Sequence, residues 1–453
     1  MKFYNREPEM NYLDKILKQT KHSSQLVIVY GRRRIGKTRL LNEFIKYHNG
    51  INFFVEQKDE KLLLVELESE INQLGLDLPP VFKTFDDFFN YLFNYLGKSR
   101  ESFIFVFDEI QNFNKINSGF FSKFQKYWDK YHNDTHIMLV CIGSIIGMMK
   151  KIFLDQKQPL FSRAQHTINL KRFDPFETSK IIIDHGITDG KTILELFGML
   201  DGIPKYLQYL DMYWEGDVHK FINDLFLTDL APLKEEGKNV LIQEFGSLQS
   251  GYFTILECIS KGKRIPVEIA NKTTIRLNTV NKYLHDLTTY YEIIFRTYPI
   301  TEDPFKSRNV RYFLKDNFFR FWFNFIYPSQ STMKRVKEEF NRYLGVIFED
   351  VCAEFIRKKG YEKVGKWWNK EIEIDVMGIG TKNILFGECK WSNNPIDIDS
   401  YFKLKEKTNT VSLKVKNIQF ALFSKTGFTD RLVELSNEEK IKLYDVDDVL
   451  LNK

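Results

Sequence analysis

QLVIVYGRRRIGKTRLL, residues 25–41, is the stretch that decides the fold. Six apolar, β-rich residues, Gln25–Tyr30, run into Gly31-Arg-Arg-Arg-Ile-Gly36-Lys37-Thr38, which satisfies GxxxxGK[ST], and a helical pattern opens at Arg39. Strand, loop and helix in that order predict a phosphate-binding loop. Glycines let the backbone curl so that several N–H groups point at phosphates, and the helix N-terminus adds the positive end of its dipole. Lys37 is expected to reach the β- and γ-phosphates, and the Thr38 hydroxyl to coordinate Mg²⁺. The loop residues Gly31, Arg34, Gly36, Lys37, Thr38 and Arg39 are therefore expected to bind ATP with Mg²⁺.

Working outward, Ile51–Glu56, Phe103–Phe107 and Ile137–Ile142 are short, apolar and β-rich like Gln25–Tyr30. They read as strands buried on both faces, as in a parallel sheet covered by helices. Helical patterns such as Arg39–Tyr47 and Thr84–Leu96 lie between them, so the first third is α/β. Phe103–Phe107 ends on Asp108-Glu109, an acidic pair after five apolar residues. Asp108 is expected to hold Mg²⁺ through water, and Glu109 to polarise the attacking water.

Composition sets the frame around this core. With 453 residues the chain has room for about three domains. Hydrophobic residues at 43% and aromatic residues at 15% exclude a mainly disordered chain. Cys141, Cys258, Cys352 and Cys389 are scattered without a CxxC pair, which argues against a disulfide framework or zinc site and for a reducing cytoplasm. The N-terminal MKFYNREPEM lacks the apolar core of a signal peptide, and the run from Ile137 to Met149 is too short to span a bilayer, so no membrane association is expected. The formal net charge is +6, and residues 256–320 hold 12 Lys/Arg against 7 Asp/Glu, so nearly all of the excess sits there. A local basic zone is a footprint for a polyanion.

That zone lies in a helical middle section, from about Asp174 to Asn324. Tyr252–Ser260, Pro266–Asn271 and Asn278–Tyr290 read as three short helices, followed by strands Glu292–Tyr298 and Arg311–Leu314 around a loop with Thr301, Glu302, Asp303 and Pro304. Three helices and a hairpin match a winged helix-turn-helix. In its expected recognition helix Val280, Leu284 and Leu287 face the core. Asn278, Lys282 and His285, with Arg276 nearby, remain outward for DNA.

The last stretch, 335–453, returns to mixed α/β. Asp375 lies in one apolar strand, Glu371–Met377, and Glu388 and Lys390 lie two apart on the next, Asn383–Trp391, so they share a face. Two adjacent carboxylates suit Mg²⁺, which activates water at a phosphodiester, and Lys390 can orient that water or stabilise the transition state. Gly345-Val-Ile-Phe-Glu349 is expected to begin a helix whose acid completes the metal shell. Trp367-Trp368 reads as core or hairpin cap ahead of a base-stacking platform.

The opening Phe3-Tyr-Asn-Arg6-Glu7, GRRRIGKTRLL, FDEIQ and Gly143-Ser144 together resemble the archaeal-type ATPases of the AAA-related, STAND-like P-loop branch. The resemblance implies that Arg6 packs near the nucleotide base and that Ser144 takes a polar sensor position at the end of a central strand. It implies an arginine near the γ-phosphate at Arg163, in Pro159-Leu-Phe-Ser-Arg163, with Ser162 where the family usually has Gly. It also implies that Pro204, in Gly202-Ile-Pro204, belongs to a helical lid close to the nucleotide. The segment GKWWNKEIEID…GECKW resembles the PD-(D/E)XK nuclease-like domain fused to such ATPases, with Ile374 in place of the usual Pro.

The expected fold class is α/β: a P-loop NTPase parallel sheet (1–172), a helical lid (173–245), a winged helix-turn-helix (246–334) and a C-terminal restriction-endonuclease-like domain (335–453). The expected activity is an ATP-hydrolysing switch coupled to a Mg²⁺-dependent DNA nuclease. The alternative is an ATP-regulated DNA- or protein-binding regulator whose last domain is not catalytic. Expected partners are DNA and either a second copy of the chain or a partner protein.

Overall fold

The computed structural model describes residues 2–75, 80–99, 102–247, 249–327, 332–411 and 417–451. They divide into two compact units, Met1–Arg172 and Phe173–Lys453.

The first unit is built on five parallel strands: β1 (Gln25–Tyr30), β2 (Gly50–Phe54), β3 (Phe103–Asp108), β4 (Ile137–Gly143) and β5 (His166–Asn169). Their order across the sheet is β2-β3-β4-β1-β5. Every residue of β1, β3 and β4 is buried, because helices cover both faces. On one face Leu13, Ile16, Leu40, Leu41 and Phe44 pack on Val27, Val29, Ile104 and Val140. On the other, Phe85, Phe88, Phe89, Phe113, Phe120 and Phe124 close over Phe105 and Phe107. Each such Phe contributes roughly 1.5–3 kcal/mol by burial; most of the rings meet edge-on or tilted, as their quadrupoles favour, while Phe113 and Phe120 stack. The edge strand β5 was not among the expected strands. HTIN is short, polar and only partly buried, so it lacks the apolar run that marks the others.

The second unit holds two further sheets. β6 (Ile294–Thr297) and β7 (Arg311–Leu314) form an antiparallel hairpin after helices Ser250–Ser260, Pro266–Thr273 and Leu277–His285. β8 (Lys363–Asn369), β9 (Ile372–Ile379) and β10 (Ile384–Lys390) form an antiparallel meander, extended in parallel by β11 (Ile418–Ser424) and β12 (Lys442–Asp445). Helix Met333–Lys358 packs on β8, β9 and β10, and helix Ile398–Thr408 packs on β9 and β10. Helix Met333–Lys358 has 26 residues, so Glu349 lies in its interior and not at its start, as had been expected. The expected division between residues 334 and 335 likewise falls in its first turn.

Helix Gly190–Leu200 is the hub of this unit. Eight of its 11 residues are buried, and it packs on helices Asn317–Phe321, Met333–Lys358 and Val446–Leu451. Tyr343 Oη donates to the Gly198 carbonyl at 2.5 Å, Asp201 Oδ2 accepts from Asn317 N at 3.0 Å, and Asp447 Oδ1 accepts from Gly190 N at 2.8 Å. No helix among the described residues is long and apolar enough to cross a membrane. The four cysteines are free and buried.

Candidate nucleotide site and acidic cluster

The loop after β1 curls as its sequence requires. Gly36 takes φ 88°, a left-handed conformation that only glycine adopts freely, and caps helix Lys37–Ile45. Lys37 is buried, and its Nζ donates to the carbonyls of Gly31 (2.9 Å) and Arg32 (3.0 Å), spanning the mouth of the loop. Arg34 is exposed, and Arg39 lies 6.0 Å from the ring centre of Phe3. Arg6 is buried and braces the loop, donating from Nη2 to Ile35 O (3.3 Å) and Lys171 O (2.8 Å).

The sheet order places β4 between β1 and β3, so Asp108 at the end of β3 faces the loop across Gly143-Ser144. Thr38 Oγ1 donates to Asp108 Oδ2 at 2.5 Å. Asp108 is 2% exposed, burial pushes its carboxyl up, and its Oδ1 is buried with no hydrogen-bond partner among the described residues. A hydroxyl beside a carboxylate with one unused oxygen is a hard-oxygen set that suits Mg²⁺. Glu109 takes φ 60°. It is held there by Ser144 Oγ, which donates to Oε2 at 2.8 Å, and by Gln111 Nε2, which donates to the same oxygen. Gln111 was missed in the sequence. It is buried, and its Oε1 has no hydrogen-bond partner among the described residues; the signal that could have found it is a polar residue in the turn after an apolar strand.

Arg163, expected beside a γ-phosphate, is not near the loop of its own chain: it precedes β5, whose residues from His166 run parallel to β1 from Val27. It therefore lies at the opposite end of the strands from the loop, on the order of 15 Å away by strand rise. There its Nε and Nη2 donate to Asp129 at 3.0 Å each. Pro204, in the second unit, opens the short helix Pro204–Leu207. Its neighbour Gly202 has a packing reason: a Cβ there would sit 1.9 Å from the Phe173 carbonyl oxygen.

The second unit gathers the acidic residues. Asp375 Oδ2 accepts from Cys389 N at 2.9 Å. Its carboxyl is pushed up to about 7, first by burial and then by the nearby charges of Glu349 and Glu388. Glu388 is 6% exposed and closed by two lysines, with Oε1 on Lys390 (2.6 Å) and Oε2 on Lys407 (2.8 Å). Glu349 pairs with buried Lys366. Among the described residues no group of three or more His, Cys, Asp or Glu is arranged to hold a metal ion. Carboxylate oxygens crowded enough to favour a proton suit a hard cation in kind, but here lysines lie against two of the three.

On helix Leu277–His285, Val280 and Leu284 are buried, while Arg276, Asn278, Lys282 and His285 are exposed. The loop of the β6–β7 hairpin does not project freely. Ile300 N donates to Lys366 O at 3.0 Å. Trp367 Nε1 donates to Thr301 Oγ1 at 3.1 Å, and Trp368 Nε1 to Asn309 Oδ1 at 2.8 Å. Both tryptophans are buried, so they serve as a dock for the hairpin loop.

Residues 3–210 match an ATPase domain predominantly from Archaea, and residues 322–410 match a family described as archaeal and bacterial proteins of unknown function. An uncharacterized protein of Methanocaldococcus jannaschii is 28% identical over 467 residues, covering 98% of this chain and 99% of that protein. An uncharacterized ATP-binding protein of the same organism is 41% identical over 44 residues, 10% of this chain and 71% of that protein. The structure of a Walker-type ATPase of Pyrococcus abyssi is similar in fold, with a TM-score of 0.55 at 20% identity over 71% of this chain and 96% of that one. The phosphate loop and the buried Asp108 agree with these likenesses: residues 3–210 are similar to an ATPase domain predominantly from Archaea, and residues 322–410 to a family of unknown function.

Proposed function

We propose that the chain is an ATP-driven switch: its first unit binds and hydrolyses ATP with Mg²⁺, and its second carries a metal-dependent DNA nuclease site. One observation carries the first half, the 2.5 Å contact of Thr38 with a buried Asp108 whose other oxygen has no partner among the described residues. Thr38 and, through water, Asp108 would hold Mg²⁺, which would supply neutralisation of phosphate charge. Lys37 exchanges its carbonyl contacts for those phosphates, and the loop backbone from Gly31 to Gly36 cradles them. Glu109, aimed by Ser144 and Gln111, accepts a proton from the attacking water. Arg6 braces the loop under the base, and Arg34 and Arg39 add charge at its rim. Arg163 acts on the nucleotide of a neighbouring copy, because its end of the strands is the wrong one for its own. Pro204 stiffens the lid turn.

In the second unit Asp375 and Glu388 would hold Mg²⁺, with Glu349 completing the shell. The ion supplies a more acidic bound water and charge neutralisation at a phosphodiester. Lys390 stabilises the transition state, and Arg276, Asn278 and Lys282 contact the DNA backbone. Support comes from the crowding of Glu349 and Glu388 around Asp375. The lysine contacts of Glu388 and Glu349 favour a second reading, an ATP-controlled regulator whose C-terminal fold only docks a partner.

Cleavage of plasmid and single-stranded DNA with Mg²⁺ or Mn²⁺, with and without ATP, separates the two readings. Metal-dependent cleavage by the wild type that Asp375→Ala abolishes is the expected result. No cleavage, or equal cleavage by both proteins, leaves the regulator. For the first unit, Lys37→Ala is expected to abolish ATP hydrolysis, and undiminished hydrolysis would remove the loop from the reaction.

A further inference from the structure

The second unit encloses a cavity of about 490 Å³ between helix Ser250–Ser260, β7, helix Asn317–Phe321 and the first turns of helix Met333–Lys358. Its lining mixes apolar residues such as Ile259, Phe325 and Ile347 with the cations Lys261, Arg264, Arg320, Arg335 and Arg342 and one acid, Glu339. Three of these cations are already answered. Arg320 Nη1 donates to Asp350 Oδ2 at 2.5 Å, Arg335 lies 3.5 Å from Glu339, and Lys261 pairs with Glu257.

Arg264 and Arg342 have no carboxylate partner among the described residues. The Arg264 guanidinium lies 4.2 Å from the ring centre of Phe313, and its Nε is buried with no acceptor. Burial and the like charge of Arg320 hold it below the usual arginine range. A buried guanidinium Nε without an acceptor among the described residues, near the like charge of Arg320, is an unfavourable arrangement. An anion in the cavity supplies Arg264 with the missing acceptor, and Arg342 lines the same cavity as a second donor. Planar guanidinium forks match phosphate geometry. The volume lies in the small-molecule range, and the apolar lining with Tyr343 suits a flat ring. Neither the phosphate loop, nor the acidic cluster, nor the exposed side of helix Leu277–His285 uses this cavity.

We propose that this cavity is a second ligand site, one that binds a phosphorylated small molecule of mononucleotide size, with the phosphate on Arg264 and Arg342 and the heterocycle against Phe325 and Tyr343. Its occupant is distinct from the ATP of the first unit, and the site does not depend on the reading of either catalytic centre.

Equilibrium dialysis of the full chain against AMP, GMP, CMP and UMP tests it. At least one is expected to bind at a single site per chain, equally well in wild type and Lys37→Ala. That binding weakens about 30-fold or more in Arg264→Gln and in Arg342→Glu. Arg342 is exposed at the cavity rim, so Arg342→Glu keeps the test valid even where Arg264→Gln disturbs folding. The proposal is overturned if none of the four binds, if Lys37→Ala abolishes binding, or if Arg342→Glu binds as the wild type does. Binding of a short single-stranded oligonucleotide through these arginines, without any mononucleotide, would also overturn it.

Discussion

Glu109 sits at φ 60°, a conformation that costs a non-glycine residue about 1–3 kcal/mol. It is held there by hydrogen bonds from Ser144 and Gln111, both buried, so local strain is exchanged for a fixed carboxylate direction next to Asp108. If Glu109 is the general base, Glu109→Gln lowers the rate of phosphate release about 100-fold or more while ATP still binds; single-turnover kinetics beside a binding titration reads the two apart. Asp375 makes a different prediction. Its carboxyl is pushed up to about 7 from 3.8, so the fold favours its protonated form. The stability it contributes is fully present below pH 3.8 and is lost as pH rises to about 7. Asp375→Asn keeps an acceptor for Cys389 N without the charge. In chelator, its unfolding free energy relative to wild type is expected to rise across that window, by on the order of 2–4 kcal/mol. Chemical denaturation at several pH values measures it, and a flat difference would contradict the crowding of Glu349 and Glu388.

At the scale of elements, β8 is the edge strand of its sheet, and edge strands left bare invite pairing with other chains. Here the hairpin loop covers it. Ile300 N takes the Lys366 carbonyl, Arg311 stacks 4.4 Å from the centre of Trp368 and bonds Glu373 at 3.1 Å, and the two indoles tie down Thr301 and Asn309. Trp368→Ala removes a buried ring and one anchor together. A loss of about 3–5 kcal/mol is expected in urea unfolding, with new protease cleavage between residues 298 and 310. An unchanged cleavage pattern would mean that the loop is held by its other contacts alone. The anchoring leaves the tip of that hairpin engaged on β8.

At the scale of the whole molecule, the chain divides after Arg172, and the second unit is knitted together across long sequence distances. Helix Val446–Leu451 returns to helices Pro175–Ile183 and Gly190–Leu200, more than half the chain earlier. Asp447 supplies the acceptor for the Gly190 N–H, and Val446, Val449 and Leu450 are buried. Deleting residues 446–453 strips helix Gly190–Leu200 of that cover. Amide exchange over 190–200 is expected to quicken by roughly an order of magnitude or more, while β1, β3 and β4 keep their protection. Equal exchange in both proteins would show that the hub stands without this helix.

The local part of this protein was legible in its sequence. The phosphate loop, the strand ending in Asp108 and the Glu388-x-Lys390 spacing depend on residues near one another in the chain, where periodicity and turn chemistry act directly. Buried strands announced themselves as apolar runs, and polar β5 did not. What only the tertiary structure decided is which distant groups meet. It sets Arg163 on Asp129 at the far end of the strands, docks the hairpin loop on Trp367 and Trp368, and closes Glu388 on Lys407. Among the described residues it also leaves Arg264 and Arg342 lining a cavity without a carboxylate partner. Such pairings follow from strand order and packing, which no short window of sequence contains, because each is fixed by burying surfaces that the chain brings together only when folded.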